Sequence, residues 1–189
     1  VSIGLEIAGK MELGVIVAGQ AARDVYEARG AMGVSPEQAA DLGVSIFKVA
    51  MPWPLEPTAT RNFCRGFERV LVIEHKRSVI EQQLKDVLYH LPDSERPIVE
   101  GKRDRDGAPL LSDIASLSTA DIAMALVQRL PAGPHTAKAD AYFAKVNGAK
   151  QAVAGMNQIN TRKPHFCSGC PHNTSTTLPE GSRALAGIG

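Results

Sequence analysis

The stretch Gly14-Val15-Ile16-Val17-Ala18, closed by Gly19, decides the fold. Its apolar residues run without a polar break, and the run is short. A strand with one wet face alternates apolar and polar residues; an unbroken run reads as a strand buried on both faces, as in parallel sheets. Working outward, the period changes. Gln20 to Met32 reads as a helix closed by Gly33. Ser35-Pro36-Glu37-Gln38 reads as a second helix start, with Pro at the first helical position and Gln completing a capping box. Val44 to Val49 is the second strand, Val70 to Ile73 the third, and Pro97-Ile98-Val99 a short fourth. A short helix runs through Phe63 and Phe67. Another opens on Ser78-Val79-Ile80-Glu81, a capping-box pattern, and carries Ile80, Leu84, Val87, Leu88 and Leu91 on one stripe. Buried strands alternating with amphipathic helices predict an α/β fold. It has three layers, a mostly parallel sheet with helices on both faces, and right-handed crossovers.

The second half is different. Gly101 to Gly107 is a charged turn. Ser118-Thr119-Ala120-Asp121 caps a helix carrying Ile122, Leu126 and Leu130, and Pro131 to Pro134 ends it. Lys138 to Gln158 is rich in Ala and reads as a surface helix or connector. From Thr161 onward Thr, Ser, Pro, Gly and His dominate without periodicity, which predicts a loop-like C-terminal extension.

The 189 residues suit one ordinary domain or one domain plus a piece of another, and 44% hydrophobic with 22% charged residues fits a globular fold. A net charge of +1 gives no basis for nucleic acid or a membrane surface as partner. No apolar run is long enough to span a bilayer. Three cysteines make no disulfide framework, so a reducing, cytoplasmic setting is expected. Val1-Ser2-Ile3-Gly4 lacks the pattern of a secretory signal. The ends read as those of an internal piece of a longer polypeptide.

Three places are candidates for chemistry or contact. In Cys167-Ser168-Gly169-Cys170 the spacing brings two thiols to one side of a turn, with Gly169 free to take the backbone that the turn needs. Zinc would need four ligands, with His165 or His172 adding to the thiols. An iron–sulfur cluster would need about four thiolates, and a redox pair would need a helix start at the first cysteine. A polar turn with two idle thiols is the plain alternative. Met51-Pro52-Trp53-Pro54-Leu55 must be a rigid loop, since two prolines remove donors and fix the backbone. It should share the carboxyl edge of the sheet with Glu74 and His75, so Trp53, Glu74 and His75 are expected on a contact surface. Cys64 reads as a small buried hydrophobe. Gly19-Gln20 opens a helix and could hold an anion, but the tight strand-to-helix turn accounts for it.

Four blocks in order carry a family resemblance: Phe47 to Pro57, Val72 to Arg77, Phe166 to Ser175, and Pro179 to Gly189. Together they resemble the indolepyruvate ferredoxin oxidoreductases, among the thiamine-diphosphate-dependent 2-oxoacid:ferredoxin oxidoreductases. The resemblance implies oxidative decarboxylation of an aryl 2-oxoacid on thiamine diphosphate and Mg2+, with CoA, ferredoxin and iron–sulfur clusters. It implies a leader over 1–12 and a domain like the C-terminal domain of transketolase over 13–102, largely structural. A helical extension over 103–160 and the start of a thiamine-diphosphate-binding domain over 161–189 would follow. Cys167, Gly169, Cys170, Pro171, His172 and Asn173 would lie near the cofactor, and Cys167 and Cys170 would be metal ligands in the complete enzyme. Other domains of the same polypeptide and a second copy, in a homodimer, would be the partners. The Gly-Asp-Gly signature for Mg2+-diphosphate does not occur in this sequence, and no pyrimidine-binding domain is recognisable. These residues alone are therefore expected to be inactive and to carry no cofactor. The rival expectation is a stand-alone α/β binding module with structural zinc on Cys167, Cys170, His165 and His172.

Overall fold

The computed structural model describes residues 11–154 and 166–183. The chain divides into two compact units, Val1–Lys150 and Gln151–Gly189. The first is built on a four-stranded sheet in the order β2-β1-β3-β4. The strands are β1 (Leu13–Ala18), β2 (Val44–Val49), β3 (Arg69–Ile73) and β4 (Ile98–Glu100), and all pairings are parallel. β1 is central: Leu13 lies opposite Val44 on one side and Arg69 on the other.

Alternation along β1 and β3 feeds two separate cores. Leu13, Val15, Val17, Leu71 and Ile73 face α1 (Gln20–Ala31) and α5 (Thr119–Val127). Ile16, Val70 and Val72 face the opposite way with Phe47 and Val49. That side is covered by α3 (Pro57–Cys64), with Cys64, and by α4 (Ile80–Leu88), with Ile80, Leu84 and Leu88. Gly14 is where the second face needs room. A Cβ there would come within 3.2 Å of the rings of Phe63 and Phe67. The helices on both faces form the three layers expected. α2 (Pro36–Asp41) flanks β2 alone and opens on the expected capping box, Ser35 with Gln38.

Three boundaries differ from the sequence reading, each for a local reason. α3 stops at Cys64 because Gly66, at φ 88°, turns the chain. Phe67 lies beyond the helix yet stays in the core, its ring tilted against that of Phe63 with centroids 5.1 Å apart. α4 has no capping box, since the Ser78 hydroxyl accepts from Gln82 instead. Leu91 lies past the end of α4 but still packs on its core.

Residues 103–139 contribute more than an extension. Leu111, Leu117, Ile122, Leu126 and Ala139 are buried in the same core as β1. α5 is capped by Ser118 and Asp121 as expected. α6 (Pro134–Ala154) buries only His135 and Ala139, which fits a largely exposed helix.

The tie between α5 and the sheet is ionic. Glu100 at the end of β4 is almost fully buried. Arg129, just past α5, donates to both of its carboxylate oxygens, at 2.7 and 3.1 Å. The Arg105 backbone N–H adds a third bond at 3.1 Å, and Arg69 lies 3.6 Å away. Burial pushes the Glu100 carboxyl up, but the Arg129 bonds and charge, the Arg105 N–H and Arg69 together outweigh it and hold the group below its ordinary 4.5. The folded state therefore favours the carboxylate. The stability this gives is present above pH 4.5 and is lost as pH falls through the lower folded value. Urea midpoints measured from neutral pH downward should fall less steeply below that point in Glu100→Gln than in the parent; parallel curves would mean that Glu100 does not titrate differently on folding.

Candidate functional site

The parallel sheet sends the ends of β1, β2 and β3 to one edge. Because β1 has β2 on one side and β3 on the other, the strand order reverses there. A crevice at such a reversal is where open α/β sheets usually admit ligands. Here three of the protein's own side chains, Glu74, His75 and Lys102, bond to neighbouring elements. Glu74, directly after β3, turns inward and is buried. Its Oε2 accepts from the N–H groups of Val79 and Ile80, at 3.0 and 2.9 Å, and its Oε1 from Glu81 at 3.0 Å. One carboxylate thus satisfies three of the four free N–H groups that begin a helix, and its charge complements the α4 dipole. Glu74 was expected on a contact surface; it is instead the cap of α4.

His75 is also engaged. Its Nδ1 accepts from the Leu117 backbone N–H at 3.0 Å. An imidazole accepting at Nδ1 carries its hydrogen on Nε2. That nitrogen lies 3.0 Å from Asp24 Oδ2 of α1, off a good hydrogen-bonding line. His75 therefore joins the end of β3 to α1 and to the segment before α5. Lys102 closes the same region. Its Nζ donates to the carbonyls of Glu74, at 2.5 Å, and Ser112, at 3.0 Å. Burial holds the Lys102 ammonium below the ordinary lysine range, against the pull of Glu74 and Glu81.

Only Trp53 of the three expected contact residues is open. It is 70% exposed, beside Met51, which is also exposed. The rigid loop has a physical anchor that the two prolines did not reveal. Gln83 of α4 accepts from Leu55 N at 2.8 Å and donates to the carbonyls of Pro52, at 2.7 Å, and Val79, at 2.9 Å. Leu55 is buried beneath it, and Glu56 caps α3 through Thr58 and Ala59. The result is a braced loop that presents an indole to the outside. Nothing in the sequence singled out Gln83, since its partners on the loop, Leu55 N and Pro52 O, are backbone atoms 28 and 31 residues away.

The second unit is described over 166–183. Cys170 N donates to the Cys167 carbonyl at 3.0 Å, closing a turn with Gly169 at φ 76°. This is the backbone for which Gly169 was singled out. His172 begins the short α7 (His172–Ser175), and its Nδ1 lies 3.2 Å from Cys170 Sγ. The Phe166 ring stacks on the His172 ring, with centroids 5.1 Å apart. Asn173 Nδ2 donates to the Cys167 carbonyl at 3.1 Å, and Pro171 precedes α7. So the turn gathers Cys167, Gly169, Cys170, Pro171, His172 and Asn173 into one small structure with free thiols. Among the described residues no group of three or more His, Cys, Asp or Glu converges as a metal site. His165, named for the zinc alternative, lies outside the described residues. Also among them, no helix is long and apolar enough to cross a membrane.

These features define a doubly covered parallel α/β domain whose carboxyl edge is closed by its own side chains, with an indole left outside. Residues 6–153 match the model of the indolepyruvate oxidoreductase domain, and the chain belongs to that family, a family of oxidoreductases. Two solved structures are similar. One is a 2-oxoglutarate:ferredoxin oxidoreductase from Magnetococcus marinus with 2-oxoglutarate, coenzyme A and succinyl-CoA bound. It is 18% identical, with a TM-score of 0.43, over 68% of this chain and 19% of that one. The other is a split-gene transketolase, an inactive beta4 tetramer. It is 11% identical, with a TM-score of 0.43, over 64% of this chain and 38% of that one. The chain thus spans about a fifth and two-fifths of their lengths. No curated protein matches it.

Two measurements check the site. Glu74→Ala should cost about 2 kcal/mol in urea unfolding, the scale of losing a charged acceptor at a helix start; an unchanged midpoint would show that water caps α4 equally well. Cys64 is fully buried and its thiol is pushed up to about 12 by desolvation. A thiol reagent at neutral pH should therefore label Cys167 and Cys170 in the native protein and Cys64 only after denaturation. Rapid native labelling of Cys64 would contradict its place in the core.

Proposed function

We propose that this chain is an assembly domain of a thiamine-diphosphate-dependent enzyme that oxidatively decarboxylates an aryl 2-oxoacid such as indolepyruvate. CoA would take the acyl group and ferredoxin the electrons, in a cytoplasmic, dimeric enzyme. Membership of the indolepyruvate oxidoreductase domain family carries this reading. The closed carboxyl edge supports a structural role. Glu74, His75 and Lys102 are used to join β3 to α4, α1 and the segment before α5. Trp53 on its braced loop would be the contact with another domain, because a rigid exposed indole loses little freedom on docking.

Residues 161–189 would begin the part that meets the cofactor. The turn from Cys167 to Asn173 offers sulfur and imidazole donors. Mg2+ takes oxygen ligands, so this turn does not suit the metal that anchors the diphosphate, and no step is assigned to it. Cys167 and Cys170 supply two thiols of the four that an iron–sulfur cluster takes. When bound elsewhere in the enzyme, thiamine diphosphate would supply the carbanion chemistry of decarboxylation. This chain's residues would hold the fold that positions its neighbours.

Calorimetry of the chain with thiamine diphosphate and Mg2+ should show no micromolar binding. A polypeptide joining it to the thiamine-binding domains should reduce ferredoxin in the presence of indolepyruvate and CoA. In that polypeptide Trp53→Ser should weaken assembly, read as earlier dissociation on dilution. Ferredoxin reduction by these residues alone, or assembly indifferent to Trp53, would overturn the proposal.

A further inference from the structure

The face of β2 that carries Val44, Ile46 and Lys48 points to the α1–α5 side of the sheet. α1 and α5 cover β1 and β3 there, but β2 is an edge strand, and among the described residues its helical neighbour is the six-residue α2. A cavity of about 270 Å³ is left between them. Its walls are mostly apolar, with Val34, Val44, Ile46, Leu126 and Leu130 among them.

Two cations line this cavity, Arg29 of α1 and Lys48 of β2, and among the described residues no acidic side chain does. Arg29 is held in place, its guanidinium over the Tyr26 ring at 5.6 Å from the centroid. Its Nε is buried and has no hydrogen-bond partner among the described residues. A buried, unpartnered donor beside an apolar space is costly, and a charged acceptor would relieve it. Glu37 feels the Arg29 charge but is engaged elsewhere: it accepts from the Ser35 hydroxyl at 2.7 Å, at the start of α2.

We propose that this cavity binds a small amphipathic carboxylate, with its apolar body against Ile46 and Leu126 and its carboxylate on Arg29, Lys48 adding charge. The volume equals roughly nine waters at about 30 Å³ each, which sets the ligand at about ten non-hydrogen atoms. Concave apolar walls with one or two placed polar groups are the usual composition of such sites. The charge on the lining selects an anion over a neutral molecule of the same shape.

Octanoate is the probe, titrated into the whole chain and followed by the backbone amide shifts of Val34, Val44 and Ile46. Saturable shifts at these residues are expected. Octan-1-ol should bind about ten-fold more weakly or worse, and Arg29→Gln should weaken octanoate by a similar factor, the scale of one charge-assisted hydrogen bond. Ala40→Phe, which fills the cavity from α2 without touching the charge, should abolish the shifts while thermal unfolding stays cooperative. No saturable shift, equal binding of octanol and octanoate, or indifference to Arg29→Gln in a folded variant would each overturn the proposal.

Discussion

The burial of Leu13–Ala18 on every side is the constraint on which the first unit depends. β1 hydrogen-bonds to β2 and β3 on its two edges and is covered by helices on its two faces. It has no polar side chain and none could be satisfied there. Every other element is placed by what β1 needs. Its odd positions call for α1 and α5, and its even positions call for α3 and α4 with room left at Gly14. A strand covered only on one face would have left α5 without a surface to pack on. The buried Glu100–Arg129 pair adds direction to that packing, since hydrophobic burial alone does not fix where a helix stops.

The carboxyl edge follows from the same order. A strand order that reverses at β1 opens a crevice, and the crevice must be filled by ligand, water or protein. Here Glu74 feeds α4, His75 bridges to Asp24 and Leu117, and Lys102 takes two carbonyls. Glu74 and Lys102 spend hydrogen bonds on the fold, and His75 spends its Nδ1. What remains outside is apolar and rigid, the indole of Trp53 on a loop clamped by Gln83.

The strands were legible because their signal is local. Short runs rich in Val and Ile, bounded by glycine, proline or charge, read as strands, and all four appear within a residue of where the pattern puts them. The caps at Ser35 and Ser118 were legible for the same reason, since donor and acceptor lie three residues apart. The cap of α4 was not. Ser78 and Glu81 fit the local pattern, but Glu74 reaches the same N–H groups from the end of β3, and Glu81 is drawn off to Lys102 N and Lys85. Leu111 and Leu117 were missed as core because they sit in irregular chain with no period to read. Of the candidate site, the turn from Cys167 to Cys170 was legible as a turn, since Gly169 and the cysteine spacing are local. It could not show that Glu74 faces inward, or that Gln83 rather than the prolines braces Trp53.

The same distinction explains why the cavity beside β2 left no mark in the sequence. Val44 and Ile46 read only as strand residues and Leu126 as one of a helical stripe, and Arg29 lies in a helix without any distinguishing motif. The space appears only because α2 ends at Asp41 after six residues, closed by Leu42 and by Gly43 at φ 71°. The chain turns at Gly43 to enter β2 with Val44 opposite Leu13. The register demanded by the central strand therefore fixes the length of α2, and the length of α2 leaves the edge strand partly uncovered. An opening produced by the fold's most constrained element persists as long as the fold does, which is why an unpartnered arginine nitrogen beside it carries more meaning than one on a free surface.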